Sequence, residues 1–340
     1  MKKSSITIKD IARLSGYSIA TVSRTVNQEP GVKPETKQKV LKIIEQYNYT
    51  PNIYAQGLVK GEVKNIGLIF PYNEDMLLDL YLTEITSFIE NYVIQSGYDF
   101  TLYFPHSELT SKLEDQYLNL FKSKKISGLI IGGVQINDES VKPLANEGLP
   151  FILIGSYLNY LKYNFIDVDH RNAVKEAVSY LISKGLKKIM YVGSSLLFST
   201  PIEKYEGYKD ALRQNDLKLS QRLVFHNIDR YSNAYSLCKE LIEDSSLPDA
   251  FFCEHDMLAW GVINALLEHN IKIPDKVSVI GYNDINIAKY IYPHLSTVRL
   301  PVDKIAENAV KSLISLIVGK KKYVKSVMLK SKLIIRESSI

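Results

Sequence analysis

Eight short apolar runs punctuate residues 65–282, and helix-length segments lie between most of them. The runs are NIGLIF (65–70), DFTLYF (99–104), SGLIIGG (127–133), PFILIG (150–155), NFIDV (164–168), KIMYVG (188–193), AFFC (250–253) and VSVIGY (277–282). Continuous apolar runs of this length are what strands buried on both faces require. A repeated strand–helix–strand order predicts parallel sheets covered by helices on each side. Eight strands are many for one open sheet, so the repeat predicts two α/β lobes with parallel sheets. Ligands in such folds bind beyond the carboxyl ends of the strands.

Length and charge divide the chain further. A length of 340 residues fits two to three domains. The net charge of +5 is unevenly placed. Residues 1–61 hold ten Lys or Arg against four acids, a net +6, which leaves the rest of the chain at −1. A small basic module on a near-neutral body is the footprint of a polyanion-binding head. No apolar run is long enough to span a bilayer. The opening MKKSSITIKDIARL has two lysines but no apolar block after them. It is therefore not read as an export signal, and a cytoplasmic protein with no membrane partner is expected. Cys238 and Cys253 are read as reduced, buried thiols.

The basic segment reads as an all-α, three-helix unit. In TIKDIARLSG (7–16), Thr7 and Asp10 form a capping-box-like pair. Ile8, Ile11 and Ala12 make an apolar face, and Gly16 stops the helix. Ser18 caps a second helix running to about Asn27, with Val22 and Val26 on one side. The third, in 33–49, has Pro34 in its first turn and Val40, Ile43, Ile44 and Tyr47 inward. Three short helices, the first two joined by a tight glycine turn, describe a helix-turn-helix headpiece. The outer face of the second helix is unusual, with small polar groups and one cation where a solvated helix prefers Glu and Lys. Short hydrogen-bonding side chains let a helix approach base edges. Ile19, Ala20 and Arg24 are expected to face bases, and Ser18, Thr21, Ser23 and Asn27 to serve mostly phosphates.

At this point a family resemblance emerges. TIKDIARLSGYSIATVSRTVN, then VKPETKQKVLKIIEQYNYTPN and AQGL, resemble the headpiece of the LacI/GalR family of bacterial transcription regulators. The resemblance implies a homodimer reading a pseudo-palindromic double-stranded DNA operator. It adds Thr7, Lys33, Thr36, Tyr49, Asn52 and Ala55 to the expected DNA-binding set. SIATVSR is similar to members that read half-sites of the TG-A/N-A-N-CG type, catabolite control proteins among them. PNIYAQGLVKG (51–61) corresponds to the family's hinge helix, whose leucine, here Leu58, wedges between bases in the minor groove. A helix this short with Gly57 in its middle is marginal in water, so folding only on DNA is expected. Tyr54 departs from the family's small apolar residue.

The resemblance runs to the end of the chain. GYNDINIAKYIYPHLSTVRLPVDKIAENAV and KLIIRESS resemble the effector domain shared with periplasmic sugar-binding proteins. The implied organisation is a headpiece (1–50), a hinge (51–61) and a two-lobed, periplasmic-binding-protein-like effector-binding and dimerisation domain (62–340). Its first lobe would hold about 62–163 and 294–323, and its second about 164–293 and 324–340. A small sugar would sit in the cleft and bias the hinge. Tyr81, Lys204, Tyr231, His255, Asp256 and Asn283 are the effector-binding residues so implied. Planar polar groups suit hydroxyl pairs, and aromatic faces suit C–H edges. Tyr81 and Tyr231 also read as packing tyrosines, and Asp256 as a cap for a helix beginning near Met257. Lys204 stands where the family often has Arg, His255 where it has Asn, and Asn283 where it has Asp. A point charge then replaces a bidentate fork. The NDINIAKYIYPHLSTVR variant resembles regulators of β-galactosidase-type operons, which favours galactosides.

Other classes fit less well. A stand-alone sugar-binding protein needs export and no basic head. No GxGxxG after a strand, no GxxxxGK[ST] loop, no zinc-ligand spacing and no GxSxG elbow is present. Asp169 beside His170 reads as a helix cap. No enzyme, no cofactor, no metal and no catalytic residue is expected. The chain stops close after KLIIRESSI, which favours a dimer over a tetramer built on a further helix. One alternative keeps the DNA role and replaces the sugar with a protein corepressor, as in catabolite control proteins, on the helix near Lys304 to Lys311.

Overall fold

Thr7 and Gly16 set the limits of the first helix, α1 (Ile8–Ser15). The Thr7 amide donates to the Asp10 carboxylate at 3.0 Å, and the Asp10 amide donates back to the Thr7 hydroxyl at 3.4 Å. Gly16 sits at φ 73°, in the left-handed region, and its amide donates to Ala12 O. That conformation costs a residue with a Cβ about 1–2 kcal/mol. Ser18 caps α2 (Ile19–Val26), and Pro34 opens α3 (Pro34–Gln46). In this computed structural model the described residues are 6–49, 63–71, 79–104, 112–158, 161 and 164–340. The hinge residues 51–61, with Asn52, Tyr54, Ala55 and Leu58, lie outside them.

Ile11, Ala12, Val22 and Val40 form the centre of the three-helix unit, with Ile8, Val26, Ile43, Ile44 and Tyr49 packed around them. Tyr47, expected inward, is 41% exposed. The helix ends before it, and Asn48 at φ 47° turns the chain so that Tyr49 reaches the core instead.

Residues 64–340 form a second compact unit built on two six-stranded sheets. The first contains β1 (Asn65–Ile69), β2 (Asp99–Tyr103), β3 (Gly128–Gly132), β4 (Phe151–Ile154), β5 (Phe165–Val168) and β11 (Val327–Leu329). Its order is β11-β5-β4-β3-β1-β2, with every pair parallel. The second contains β6 (Ile189–Val192), β7 (Val224–Phe225), β8 (Ala250–Cys253), β9 (Ser278–Asn283), β10 (Ser296–Arg299) and β12 (Lys332–Ile334). Its order is β12-β10-β9-β8-β6-β7, parallel except for β12 against β10.

Helices cover both sheets, as parallel pairing demands. Along β3, Leu129 and Ile131 join one apolar cluster and Ile130 another. The latter also takes Ile85, Ile89 and Val93 from α4 (Leu80–Gln95) and Ile305, Ala309 and Leu313 from α11 (Val302–Ile317). The other face packs against α5 (Leu113–Lys122) and α6 (Lys142–Asn146). On the second sheet, α7 (His170–Ser183) and α8 (Ser199–Gln214) cover one face. Helices α9 (Tyr231–Glu243) and α10 (Asp256–Glu268) cover the other.

The expected lobe boundaries need correction. β5 was assigned to the second lobe but pairs with β4 in the first sheet. β10 was assigned to the first lobe but pairs with β9 in the second. β11, assigned to the second, pairs with β5 in the first. In the first two cases the chain finishes a strand before it leaves a sheet, so each crossing falls after the strand. Apolar patterning marks a strand without saying which sheet completes its hydrogen bonds. All eight expected strands form, whereas the short β7, β10, β11 and β12 were not anticipated.

Gly207 marks where α8 presses closest on α7. A Cβ there would lie 2.2 Å from the backbone oxygen of Arg171. Gly207→Ala should destabilise the larger unit by about 1–3 kcal/mol through forced separation of the helices. Calorimetry resolving the two units' transitions checks this, and the transition of residues 1–63 should stay in place.

Candidate nucleic-acid face and inter-lobe site

The buried side of α2 is carried by Val22 and Thr25, and the Thr25 hydroxyl donates to Thr21 O at 2.9 Å. This turns Ile19, Ala20 and Arg24 outward, with Ile19 46% exposed. An exposed isoleucine among small groups leaves the helix face free to approach base edges. The Ser18 hydroxyl accepts the Thr21 amide at 3.1 Å and shares a 2.9 Å hydrogen bond with the Thr21 hydroxyl. Asn27 donates to the Ser23 hydroxyl at 3.4 Å. Thr7 likewise donates its hydroxyl to Asp10. Lys33 is exposed at the start of α3, Thr36 is half-buried in its first turn, and the Tyr49 ring packs into the core.

In the larger unit, the structure gathers some of the expected ligand residues and separates others. Lys204 on α8 is buried, and its amine donates to the backbone oxygen of Glu254 at 2.8 Å. The same amine lies 4.2 Å from the ring centre of Tyr282, within cation–π range. Burial lowers the Lys204 pKa, while Glu254, Asp167, Asp256 and Asp79 pull it back up. His255 is held neutral, its pKa pushed down to about 3 by desolvation first and by Lys204 second. Tyr81, in the first turn of α4, has its phenol pushed far up by desolvation, then by Asp167, Asp79 and Glu84. Tyr81, Lys204 and His255 thus share one electrostatic neighbourhood, whose floor is Tyr282.

Several members of that neighbourhood escaped the sequence reading. His170 bonds Asp167 through Nε2 at 3.0 Å and the Tyr282 hydroxyl through Nδ1 at 2.6 Å. A carboxylate only accepts, so Nε2 donates to Asp167. Glu254 is buried, accepting from the Tyr191 hydroxyl and, at 2.8 Å, from the Ser194 amide. Asp79 caps α4 by accepting the Tyr81 and Leu82 amides. The signal available in sequence was an acid or histidine just past a strand, as in Glu254 after β8 and His170 after β5. Asp169 does cap α7, accepting the Asn172 amide at 3.1 Å.

Asp256 is neither a helix cap nor an open ligand. One carboxylate oxygen accepts the Thr297 hydroxyl at 2.5 Å and the other accepts the Ile285 amide at 2.8 Å. Any Cβ on Gly281 would lie 2.4 Å from Asp256 Oδ1, so glycine is required beside it. Asn283 ends β9 at φ 105° and lines a groove of about 310 Å³ with Asp284, Glu84 and Lys289. Asp284 is paired with both Arg299 and Arg336. Tyr231 makes its described ring contacts with Tyr235 and Trp260, and its hydroxyl accepts from Asn264. Those contacts lie on α9 and α10. Among the described residues, no group of three His, Cys, Asp or Glu could hold a metal ion. No helix there is long and apolar enough to cross a membrane.

Comparison with known proteins bears on this arrangement. Residues 7–52 match the model for bacterial regulatory proteins of the lacI family, and 178–339 match that for a periplasmic binding protein-like domain. The HTH-type transcriptional regulator MalR of Clostridium butyricum is 30% identical, over 97% of this chain and 98% of its own. The chain belongs to the LacI family of bacterial regulatory proteins. Catabolite control protein A of Staphylococcus epidermidis is also 30% identical, over 87% of this chain and 88% of its own. A lac repressor dimer solved with operator and an anti-inducer has the same fold, with a TM-score of 0.86 at 21% identity. That match covers 99% of this chain and all of the repressor chain. The LacI-family headpiece and the two-lobed core with parallel sheets are both present, and the protein is a DNA-binding transcriptional regulator.

Asp256 gives this LacI-family body a testable pH signature. Burial pushes its pKa up to about 7, against the pull of the Thr297 and Ile285 hydrogen bonds. A raised folded-state pKa stabilises below the unfolded value, and that contribution is lost as pH rises. Between pH ~4 and ~7, Asp256→Asn should therefore flatten the fall in melting temperature of the larger unit. A Tm–pH series on both proteins measures the difference. His255 contributes the opposite way, losing stability only as pH falls from ~6.5 toward 3.

Proposed function

We propose that this chain is a cytoplasmic repressor of a carbohydrate-utilisation operon. It binds a pseudo-palindromic operator as a homodimer and responds to a small sugar in the inter-lobe cleft. The observation that carries the reading is the outer face of α2. Ile19, Ala20 and exposed Arg24 stand clear on a helix whose other side is fixed in a core. Residues 1–50 serve as the headpiece, 51–61 as the hinge with Leu58 as its wedge, and the remainder as the effector and dimerisation domain.

For the effector, Tyr81, Lys204, His255 and Asn283 are the proposed contacts. Lys204 offers a single strong donor over an aromatic floor, and neutral His255 can both donate and accept. Such a set suits a neutral polyhydroxylated ligand, with galactosides first. Asp256 shapes the site through Thr297 and Ile285. Tyr231 supports the α9–α10 face.

Likeness to catabolite control protein A supports a second reading, in which a protein corepressor tunes DNA binding. It would dock on α11. There Lys304 and Lys311 both pair with Glu307, at 2.7 and 2.6 Å, so an acidic partner would compete with that carboxylate.

Arg24→Ala should lose about 1–3 kcal/mol on operator and far less on scrambled duplex. Equal losses in fluorescence anisotropy on the two duplexes would reduce Arg24 to a phosphate contact. A sugar present at ~100 times its Kd should stabilise the larger unit by about 2.7 kcal/mol in a thermal-shift panel. Silence across galactosides, glucosides and sugar phosphates would favour the corepressor reading.

A further inference from the structure

One end of the first lobe carries a lysine-rich surface that neither the headpiece nor the cleft uses. All six strands of the first sheet are parallel, so their amino-terminal ends lie along one edge. The segment entering β3 reads FKSKKIS, and the one entering β11 reads GKKKYVKS. The first holds three lysines (122, 124, 125), the second four (320, 321, 322, 325), and Lys64 directly precedes β1. All eight are exposed. The described connections at this edge supply only Asp99 and Glu147 as acids. Between Glu307 and Glu337 the chain has eight basic residues and no acid.

The packing brings these segments together. Asn65, at the start of β1, donates its side-chain amide to Lys125 O at 2.8 Å. The end of α11 lies over the start of β3, where a Cβ on Gly128 would meet Ile317 and Leu313 at 2.8–2.9 Å. Lys320 therefore leaves α11 close to the segment that carries Lys124 and Lys125. Val324 is then pinned to the sheet edge, its amide donating to the Asn164 side chain at 2.8 Å and its oxygen accepting from the Asn164 amide. The loop is a fixed part of the edge.

A local explanation accounts for only part of the charge. Lysines just past a helix end favour the negative end of its dipole, which covers Lys122 and Lys320. Lys64, Lys125, Lys322 and Lys325 lie outside that range. None of the eight forms an ion pair among the described residues. The body as a whole is near neutral, so collecting them here leaves the rest of it net acidic. Unpaired like charges on one face repel, and a polyanion relieves the repulsion.

We propose that this edge is a second duplex-DNA surface, whose lysines neutralise backbone phosphates without reading bases. Ammonium groups bind phosphates as point charges, and the surface lacks the arginine forks that make the commonest base contacts. The chain enters this lobe at the same edge, since β1 follows directly on the residues that carry the DNA-reading headpiece and hinge. The inference rests on the DNA-binding function proposed above. It adds a sequence-independent component that would let the protein hold flanking or nonspecific DNA.

The test uses the full chain and a long mixed-sequence duplex. Affinity is measured by fluorescence anisotropy over a range of salt concentrations. Each lost phosphate contact should remove about 0.9 from the slope of log K against log salt. The variant K320Q/K321Q/K322Q/K325Q should be shallower than wild type by about 2 or more on that scale. The four-arginine variant should restore the slope, which controls for folding alongside an unchanged melting curve. An unchanged slope in the glutamine variant overturns the proposal. So does a variant that loses binding only to phosphatidylserine vesicles, which would make the surface a lipid-binding one. Arg24→Ala keeps the two readings apart. If its losses on operator and on scrambled duplex are equal, base reading by Arg24 falls, while the lysine slope still decides this surface.

Discussion

Parallel strands impose the constraint from which the rest of the larger unit follows. A parallel pair cannot be joined by a tight turn, so each connection must cross a face of the sheet. The crossings bring helices to both faces and bury the inner strands, as in β3, where all five residues are buried. Buried strands leave chemistry only at their ends. Glu254 and His255 follow β8, Asn283 ends β9, and Asp167 and His170 flank the end of β5. The cluster around Lys204 and His255 is a consequence of where strands stop.

The same constraint explains the polar chain that ties the lobes. Asp167 belongs to β5 in the first sheet, His170 to α7 and Tyr282 to β9 in the second. A buried donor or acceptor left without its partner costs about 1–3 kcal/mol, which favours full pairing along this chain. Here both imidazole nitrogens are engaged, and the tyrosine ring beyond them supports the Lys204 amine. The hydrogen bonds thus connect a strand of the first sheet to a strand of the second through His170.

Much of the fold was legible in the residues, for identifiable reasons. Thr7, Asp10, Gly16, Ser18 and Pro34 placed three helices because caps and stops are local backbone chemistry. The eight apolar runs marked strands because full burial leaves no polar alternation. Four further strands were not legible, since β7 and β12 have two or three residues and carry little apolar signal. The site was less legible. Lys204 and His255 were named and do come together, whereas Tyr231 packs on Tyr235 and Trp260 and Asp256 is occupied within its own lobe. His170, Glu254 and Tyr282 carried no spacing that distinguishes them from a cap, a surface acid and a core tyrosine.

The sequence by itself determined the helices of the headpiece, the outward face of α2, the two α/β lobes and the family. The helices, the face and the lobes rest on periodicity, capping or charge within a stretch of chain, and the family on motif resemblance along it. Only the tertiary structure decided where the chain crosses between lobes, which buried groups meet, and that lysines some two hundred residues apart in the chain share one edge. Strand pairing and burial are long-range quantities. A hydrogen bond between β5 and β4, or a cation over a ring, depends on partners that the local sequence does not specify.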